Sequence, residues 1–346
     1  MLLSEFDFPF DPTLVAEQPA LPRDQARLLV LDRGTGARTH RRIADLPHLL
    51  RAGDLLVVND TKVMPARVAG RLASTGKPTE LLFVQDLGDG VWEILLQGRL
   101  KPGAMIEFPT GGRGEILDRT QGRTTLRLSG IERVTDLMES AGTMPLPPYI
   151  KRPPTQQDRE WYQTVFARRD GAIAAPTAGL HFTDRLVAAL RAAGIMLNSV
   201  TLHVGPGTFR PVTVERIEEH RRGAERVQVS ESTVAAVGET RANGGRVIAV
   251  GTTVVRALES AARATGRLQV FDGPTELFIS PGFEFRVIDA LLTNFHLPRT
   301  TLLMLVSAFA GIEPLREAYQ EAVAQRYRFY SYGDAMLIGS GWGRAT

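Results

Sequence analysis

The sequence predicts an α/β main domain that carries a small inserted antiparallel β-barrel. Three observations lead to this prediction. Apolar runs typical of strands alternate with helix-period runs toward both ends of the 346-residue chain. Short alternating runs separated by Gly-rich turns fill a stretch between them. A stiff proline-rich segment, Pro145–Ile150, then makes a domain junction. We therefore expect residues 1–64 and 143–346 to form the α/β domain and residues 65–142 to form the barrel.

The region before the barrel contains a strand that we expect to be buried on both faces. Leu55–Val58 is a continuous apolar run, which is typical of a central parallel strand. Arg27–Leu31 predicts a second strand and Ile43–Arg51 a short helix. Asn59-Asp60-Thr61-Lys62 follows the buried strand directly, and loops at the carboxyl ends of parallel strands commonly carry function. An ordinary Asx turn is the alternative interpretation of this tetrapeptide.

Runs of different period predict the barrel and the region after it. The barrel strands are expected at 67–72, 80–86, 91–97, 105–108, 114–118 and 124–128, before a helix at 134–141. Later helices are expected at 184–193, 232–243, 252–264, 301–309 and 313–327, with strands at 196–204 and 246–250. Thr183 is the expected N-cap of the first of these later helices, because its hydroxyl can accept a hydrogen bond from a backbone N–H.

The composition excludes several classes of chemistry. The chain has no cysteine, which excludes a thiol nucleophile, a Cys-ligated zinc, an iron–sulfur cluster and disulfides. It has neither a full Gly-x-Gly-x-x-Gly fingerprint nor a Walker lysine, and its histidines lack the His-x-x-x-His spacing of metal sites. We therefore expect no redox or dinucleotide cofactor, and a metal site formed by three histidines distant in sequence is the alternative that these patterns leave open.

Charge and hydropathy bear on partners and location. The net charge is +3, and the basic residues are overwhelmingly Arg. Arg binds phosphate in a bidentate manner and stacks on bases, although a high-GC genome would give the same bias. The longest apolar stretch, 302–310, is too short to span a bilayer, and the start of the chain does not look like a secretory signal. The expected location is the cytoplasm.

Three bends rich in Gly, Pro and small polar residues each carry a histidine. They are 175–182 with His181, 201–209 with His203, and 293–298 with His296. Gly and Pro fix unusual backbone geometry, and Gly lets a ligand approach the main chain closely. A histidine at such a bend can exchange protons near neutral pH. Three bends at one rim would form a site, whereas a structural, hydrogen-bonded histidine is the alternative for each.

Other polar motifs have both a structural and a functional interpretation. Gly251-Thr252-Thr253 starts a helix, where N–H groups attract carboxylates, although an ordinary capped helix is the alternative. Arg256 and Glu259 on that helix can pair with each other. Residues 218–225 predict a charged surface loop. Residues 327–334 mix aromatics with Arg and Asp, which suits either stacking on a base or packing into the core.

These stretches resemble the S-adenosylmethionine:tRNA ribosyltransferase-isomerase family of queuosine biosynthesis. Matches in the same order carry the resemblance, at 53–67, 98–103, 144–150, 175–182, 201–212, 251–260, 291–311 and 327–338. Two departures stand out. Gly223 occupies the position of a second family histidine near His220, which argues against a paired-histidine or metal role there. Val254 and Ala257 stand where the family often has Ser and Thr, so those hydroxyls cannot be essential in this chain.

The resemblance implies a fold, a reaction and partners. The fold is an α/β domain with a small β-barrel. The reaction moves the ribosyl part of S-adenosylmethionine, a co-substrate, to 7-aminomethyl-7-deazaguanine at the tRNA wobble position. Rearrangement then gives epoxyqueuosine with loss of adenine and methionine, which needs proton-transfer groups but no metal. The expected partners are S-adenosylmethionine and that tRNA, with no membrane, and the expected state is a monomer.

The resemblance implies a role in this reaction for individual residues. The expected catalytic residues are His181, His203, His296, Asp60, Glu259 and Asp334. The expected substrate-binding residues are Asn59, Thr61, Lys62, Arg67, Thr177, Gly179, Gly205, Gly207, Thr208, Gly251, Thr252, Thr253, Arg256, Asn294, Tyr330 and Tyr332. The residues expected to hold tRNA phosphates are Arg99, Lys101, Lys151 and Arg152. In this scheme the helix start holds the methionine carboxylate, and one of the two tyrosines faces the sulfonium.

Two rival functions make different predictions. An S-adenosylmethionine-dependent methyltransferase would release S-adenosylhomocysteine, but the chain lacks an early glycine-rich cofactor motif. A non-catalytic RNA-binding protein built around the barrel would bind tRNA without consuming S-adenosylmethionine. The Gly/His bends, far from the barrel in sequence, argue against that second rival.

Overall fold

The computed structural model of the protein describes residues 1–96, 98–120, 123–205, 212–221 and 223–342. Within these residues the strands form a nine-stranded sheet, a seven-stranded sheet and a two-stranded sheet. None of the helices in these ranges is long and apolar enough to cross a membrane.

The strands are labelled in chain order. Before the barrel lie β1 (Arg27–Asp32), β2 (Arg38–Arg42), β3 (Leu55–Asn59) and β4 (Thr61–Val63). The barrel region contains β5 (Arg67–Leu72), β6 (Pro78–Gly88), β7 (Val91–Leu96), β8 (Met105–Glu107), β9 (Arg113–Thr120), β10 (Arg123–Ser129) and β11 (Gly142–Thr143). After the barrel lie β12 (Arg169–Ala172), β13 (Met196–Leu202), β14 (Glu225–Val229), β15 (Val247–Val250), β16 (Phe271–Thr275), β17 (Ala290–Asn294) and β18 (Ala335–Gly339).

Helices lie at all the predicted positions, and one short α-helix in the described ranges was not predicted. They are α1 (Leu46–Leu49), α2 (Val134–Ala141), α3 (Asp158–Trp161), α4 (Asp184–Ala192), α5 (Glu231–Ala242), α6 (Thr252–Ala262), α7 (Thr301–Ala310) and α8 (Ile312–Ala324). The Thr183 hydroxyl accepts a 3.1 Å hydrogen bond from Leu186 N, which confirms the predicted N-cap of α4. Helix α8 ends before its predicted limit, and Arg326, two residues beyond its end, has a left-handed φ of 53°.

The main sheet places the ends of several strands at one edge. Its order is β16-β14-β13-β3-β15-β17-β18-β1-β2, and the neighbouring strands β13, β3, β15 and β17 are parallel. Strand β18 is antiparallel to β17, so it starts at the edge where the parallel strands end. Leu55 and Val57 of β3 point into one core and Leu56 and Val58 into the other, which confirms a strand buried on both faces.

The inserted unit is a closed barrel, as predicted. Its six strands run β5-β6-β7-β10-β9-β8, and pairing of β8 with β5 closes the ring. The short strand β11 pairs with the other part of β5 and returns the chain to the main domain. The barrel has its own core, which includes Val68, Phe83, Ile94, Ile106 and Leu126. The limits of this unit, 65–142, remain our proposed domain boundaries.

The barrel joins the main domain next to the edge where the parallel strands end. Strand β4 follows β3 after a single residue and pairs with β12. The proline-rich junction packs there through Met144, Leu146 and Ile150, which share a small core with Tyr162 and Tyr332. The loops at this edge of the sheet and the base of the barrel therefore lie side by side.

Candidate active site

The candidate site is a cleft at the edge of the main sheet where the parallel strands end. The cavity within it has a volume of about 30 Å³. The predicted site residues that line it are Thr177, Gly251, Thr252, Thr253, Asn294, His296 and Tyr330. The bend at 201–209 contributes Val204 to the wall. Segments distant in sequence therefore meet at this cleft because each follows, or precedes, a strand that ends here.

The start of α6 presents backbone N–H groups to the cleft. Gly251 has a φ of 96°, a conformation that L side chains rarely adopt, and this turn connects β15 directly to the helix. The Gly251 N–H donates to Leu292 O at 2.7 Å, whereas no acceptor among the described residues takes the N–H groups of Thr252 and Thr253. These two donors at a helix N-terminus favour an anionic ligand group.

Asn294 holds a hydrogen-bond chain in a fixed orientation. Its Nδ2 donates to the carbonyl oxygen of Tyr330 at 3.1 Å, and its Oδ1 accepts from the Thr177 hydroxyl at 2.9 Å. A carbonyl can only accept, so the Asn294 amide nitrogen must also be the donor toward His181 Nε2, which lies 3.2 Å away. His181 therefore carries its proton on Nδ1. Burial lowers the pKa of His181 to about 4, so the ring is neutral at pH 7.

His296 is a second buried and neutral imidazole, and it lines the cleft directly. Its Nε2 lies 3.0 Å from the Thr293 hydroxyl, and its backbone N–H donates to the Tyr319 hydroxyl at 2.9 Å. Burial lowers the pKa of His296 to about 3. No described residue forms a hydrogen bond with its Nδ1. This ring can accept a proton or donate a hydrogen bond as a neutral group, but it is not an imidazolium at pH 7.

Two tyrosines form an aromatic wall of the cleft. The rings of Tyr149 and Tyr330 lie with centroids 3.8 Å apart, and the Tyr149 hydroxyl hydrogen-bonds the Ser331 hydroxyl. Tyr330 has a left-handed φ of 69°, and burial raises the pKa of its hydroxyl. The faces of neutral tyrosine rings attract cations and stack on flat groups.

A second polar cluster lies beside the cleft, where β3 and β13 end. The Thr61 hydroxyl lies 2.8 Å from His203 Nδ1, and Asp60 accepts from the hydroxyls of Thr201 at 2.6 Å and Ser199 at 3.0 Å. Burial lowers the pKa of His203, and the positive charge of Arg226 acts in the same direction. A Cβ on Gly171 would lie 2.9 Å from the His203 ring, so the glycine lets the backbone pack against this imidazole.

Asn59 connects this second cluster to the cleft. Its Nδ2 donates to Leu202 O at 2.9 Å and to the Thr253 hydroxyl at 3.3 Å, and its Oδ1 accepts from the N–H groups of Thr61 and Leu202. The side chain is therefore fully bonded within the protein. It joins the ends of two strands to the start of α6, so it fixes the positions of these three elements relative to one another.

Comparisons with known proteins agree with this architecture. A family profile described as "Queuosine biosynthesis protein" matches residues 3–338. The S-adenosylmethionine:tRNA ribosyltransferase-isomerase of Moorella thermoacetica is 51% identical over 346 residues, covering 98% of this chain and 100% of the relative. The protein of the same name from Xanthomonas oryzae pv. oryzae is 49% identical over 352 residues, covering 100% and 98%. The chain belongs to the S-adenosylmethionine:tRNA ribosyltransferase-isomerase family.

A solved member of this family has the same fold. The crystal structure of S-adenosylmethionine tRNA ribosyltransferase from Thermotoga maritima is 38% identical, with a TM-score of 0.57, over 97% of this chain and 100% of that chain. Family membership confirms the enzyme class that the sequence predicted, and the structural match confirms the fold class.

Several residues with expected roles in this family lie outside the cleft. Glu259 accepts hydrogen bonds at 3.0 to 3.3 Å from the N–H groups of residues 286–288, and burial raises the pKa of its carboxyl. Asp334 accepts from the N–H groups of Arg27 and Arg328 and pairs with the Arg27 guanidinium at 3.1 Å. Neither carboxylate lines the cleft, so each holds backbone segments together.

Arg256 does not pair with Glu259, as the sequence had suggested, because it points to Glu225 and to Leu277 O. Both ends of this Arg–Glu ion pair are buried. Glu225 also accepts from Gly205 N at 3.1 Å, so it lies in the core at the start of β14. The predicted surface loop at 218–225 is therefore wrong at its last residue.

Most of the remaining expected residues already have partners within the protein. Tyr332 donates to Asp158, which also binds Arg152 through two bonds of 2.7 Å, so both are tied into the junction. Lys62 pairs with Asp170 at 3.0 Å and Arg67 with Glu80 at 2.7 Å. Gly179 packs against Thr164 behind the cleft.

Three of the expected residues, Arg99, Lys101 and Lys151, are exposed and form no ion pair with any residue that the structure describes. Gly207 and Thr208 lie outside the described residues.

The structure also adds lining residues to which the sequence analysis gave no individual role. Tyr149 and Ser331 line the cleft, with Ala175, Pro176, Ala178, Thr293 and Leu302. Tyr149 stood in a segment that we interpreted as a junction and as part of the family resemblance but to which we gave no site role, although an aromatic among prolines next to a domain boundary was an available signal. The described residues contain no group of three or more His, Asp or Glu side chains that could hold a metal ion.

Proposed function

We propose that the protein transfers and isomerises the ribosyl part of S-adenosylmethionine onto 7-aminomethyl-7-deazaguanine at the tRNA wobble position, releasing adenine and methionine. The product is epoxyqueuosine, and we propose that the enzyme acts as a monomer where its tRNA is found, in the cytoplasm. The family assignment supports the class of reaction. The observation that carries the substrate assignment is a single cleft lined both by open helix N–H groups and by two tyrosine rings.

The cleft offers a matching group for two charged parts of S-adenosylmethionine, the carboxylate and the sulfonium. The open N–H groups of Thr252 and Thr253 would bind the methionine carboxylate at the start of α6. The faces of Tyr149 and Tyr330 would lie beside the sulfonium, where a cation–π contact contributes about 0.5–2 kcal/mol. The nucleoside would then lie toward Asn294 and His296. We propose Tyr330, rather than Tyr332, for the sulfonium because only Tyr330 lines the cleft.

The proposed chemistry needs proton transfers rather than a redox step. The sulfonium acidifies the neighbouring 5′-carbon, so a base must remove a proton there, and the aminomethyl nitrogen must lose a proton as it attacks. His296 in the cleft and His203 beside it are neutral at pH 7, so each has a ring nitrogen that can accept a proton, but burial makes each ring a weaker base than free imidazole. Departing adenine must gain a proton, and methionine leaves as a neutral thioether as the epoxide ring closes.

His181 and Asp60 have supporting roles in this proposal. His181 fixes the Asn294 amide, which keeps that side chain oriented in the cleft. Asp60 lies buried beside the Thr61–His203 pair, and its negative charge favours positive charge that develops on His203, whereas Arg169, 3.9 Å from Asp60, opposes it. Glu259 and Asp334 are proposed to act only through the fold, because their oxygens bind backbone N–H groups away from the cleft.

The proposed tRNA contact is the barrel loop that carries Arg99 and Lys101, together with Lys151 at the junction. All three are exposed, and Arg119 anchors the loop by donating to Gly98 O at 3.0 Å. Between residues 65 and 142 the chain has ten basic and ten acidic residues, so the barrel as a whole is not basic. Phosphate binding would therefore depend on the local cluster rather than on the net charge of the domain.

The test is incubation of the protein with S-adenosylmethionine and tRNA that bears the aminomethyl precursor. We expect free adenine and free methionine in equal amounts, together with a modified anticodon nucleoside. Release of S-adenosylhomocysteine would instead indicate a methyltransferase. Binding of tRNA with no consumption of S-adenosylmethionine would indicate a non-catalytic RNA-binding protein, and either result would overturn the proposal.

A further inference from the structure

Two turns that adjoin cleft residues each contain a residue in a left-handed backbone conformation. Tyr330 itself has a φ of 69°, and Arg299, three residues after His296, has a φ of 60°. Side chains other than glycine rarely adopt this conformation, and it persists only where the surrounding structure fixes it. The contacts that fix these two turns therefore decide where His296 and Tyr330 stand in the cleft.

The first residues of the chain make some of those contacts through their backbone. Phe329 N donates to Leu14 O at 2.8 Å, and Ala16 N donates to Phe329 O at 3.2 Å, directly before the left-handed tyrosine. Arg299 N donates to Phe6 O at 2.9 Å. We name residues 2–16 the N-terminal strap, because this one segment is bonded to both turns.

The strap also packs two phenylalanine rings behind the same two cleft residues. The Phe8 ring lies 5.1 Å from the ring of Tyr319, whose hydroxyl accepts the His296 N–H. The Phe10 ring lies 5.0 Å from the ring of Phe329, which precedes the cleft tyrosine. Both strap rings are half-buried, so they cover this aromatic cluster from the solvent side.

We propose that Phe8 and Phe10 of the N-terminal strap are positioning residues that hold His296 and Tyr330 in the geometry the reaction needs. Neither phenylalanine lines the cleft, so each acts through a neighbouring residue. The activity part of this inference rests on the function proposed above, whereas the placement of the two turns can be measured without it. Misplacing a reacting group by about 1 Å can reduce turnover about 100-fold.

The experiment compares Phe8→Ala and Phe10→Ala with the control Phe285→Ala. Phe285 is also half-buried against the main core, with its ring 5.0 Å from that of Phe283, but it does not contact the two turns. We expect kcat to fall about 10- to 100-fold in the strap variants, with little change in the KM for tRNA, and to stay near wild type in the control. The conservative variant Phe10→Tyr should restore most of the loss.

Amide hydrogen exchange supplies a readout that needs no substrate. The N–H groups of His296 and Tyr330 are hydrogen-bonded, at 2.9 and 3.0 Å, so we expect them to exchange slowly in the wild type. Phe8→Ala should accelerate exchange at His296, and Phe10→Ala at Tyr330, by about tenfold, while Phe285→Ala should change neither.

The outcomes separate the two proposals. A wild-type protein that releases no adenine would refute the proposed function, and exchange alone would then decide the role of the strap. An active wild type whose strap variants match Phe285→Ala in kcat would overturn the positioning role. Unchanged exchange at both amides in the strap variants would overturn it as well, even if those variants were less stable.

Discussion

Two regions of the molecule bury polar groups, and they differ in whether those groups still have hydrogen-bonding positions without a partner. The cleft has open N–H groups at Thr252 and Thr253 and an imidazole at His296 whose Nδ1 has no partner in the described part of the chain. The far half of α6 and the segment before β18 bury Glu259 and Asp334, whose oxygens are occupied by backbone N–H groups. Burial of a polar residue is therefore not evidence of function, whereas burial with an open position facing a cleft is.

Replacement of His296 should give the largest loss of activity. Because this imidazole lines the cleft, His296→Ala is expected to reduce turnover of S-adenosylmethionine by about 100- to 10,000-fold while the protein stays folded. Adenine release at saturating substrate is the measurement. The matched control is His48→Ala, since His48 is exposed and lies away from the cleft, and it should keep wild-type turnover. Full turnover by His296→Ala would remove this residue from the mechanism.

Replacement of Glu259 should reduce stability rather than turnover. Glu259→Ala leaves buried N–H groups at residues 286–288 without an acceptor, so we expect the free energy of unfolding to fall by about 3 kcal/mol. The kcat of the folded enzyme should not change. Urea unfolding and turnover at a temperature where the variant is folded test both parts, with exposed Glu239→Ala as a near-neutral control. A kcat loss comparable to that of His296→Ala would return Glu259 to the active site.

The buried neutral histidines should make stability depend on pH. The pKa of His181 is about 4 in the folded protein and about 6.5 in the unfolded chain, so the unfolded state binds more protons between these values. The free energy of unfolding should therefore fall as the pH drops from 7 to 5, by about 2 kcal/mol from this group. His181→Gln should remove that part of the slope, so equal slopes for wild type and variant would contradict the buried neutral ring.

The barrel loop should have the smallest effect. Arg99→Ala and Lys101→Ala are each expected to raise the KM for tRNA several-fold and to reduce the slope of log KM against log salt by about 1. The KM for S-adenosylmethionine should not change. Arg133→Ala, which removes another exposed arginine of the same unit, is the control. An unchanged salt slope in both loop variants would place the tRNA phosphates elsewhere.

The fold followed from local patterns because those patterns reflect short-range physics. The alternating runs fixed the barrel strands, and the continuous apolar run at Leu55–Val58 revealed a strand with a core on each side. Thr183 was identifiable as a cap because the signal lies within three residues.

The candidate site was only partly predictable, since it depends on contacts between distant segments. The sequence alone did not distinguish polar residues of α6 and the C-terminal region that line the cleft from those that bind other parts of the fold. The partners of Arg256 and Asp334 come from β14 and from the start of β1, which are distant in sequence. Tyr149 joins the cleft only because the junction folds back beside Tyr330. No local pattern reports either arrangement.

The most direct test of the central claim is a crystal structure of the protein with S-adenosylmethionine bound. We predict that the methionine carboxylate accepts from the N–H groups of Thr252 and Thr253, with the sulfonium beside the rings of Tyr149 and Tyr330. Density for the ligand at any other place, with this cleft empty, would contradict the account.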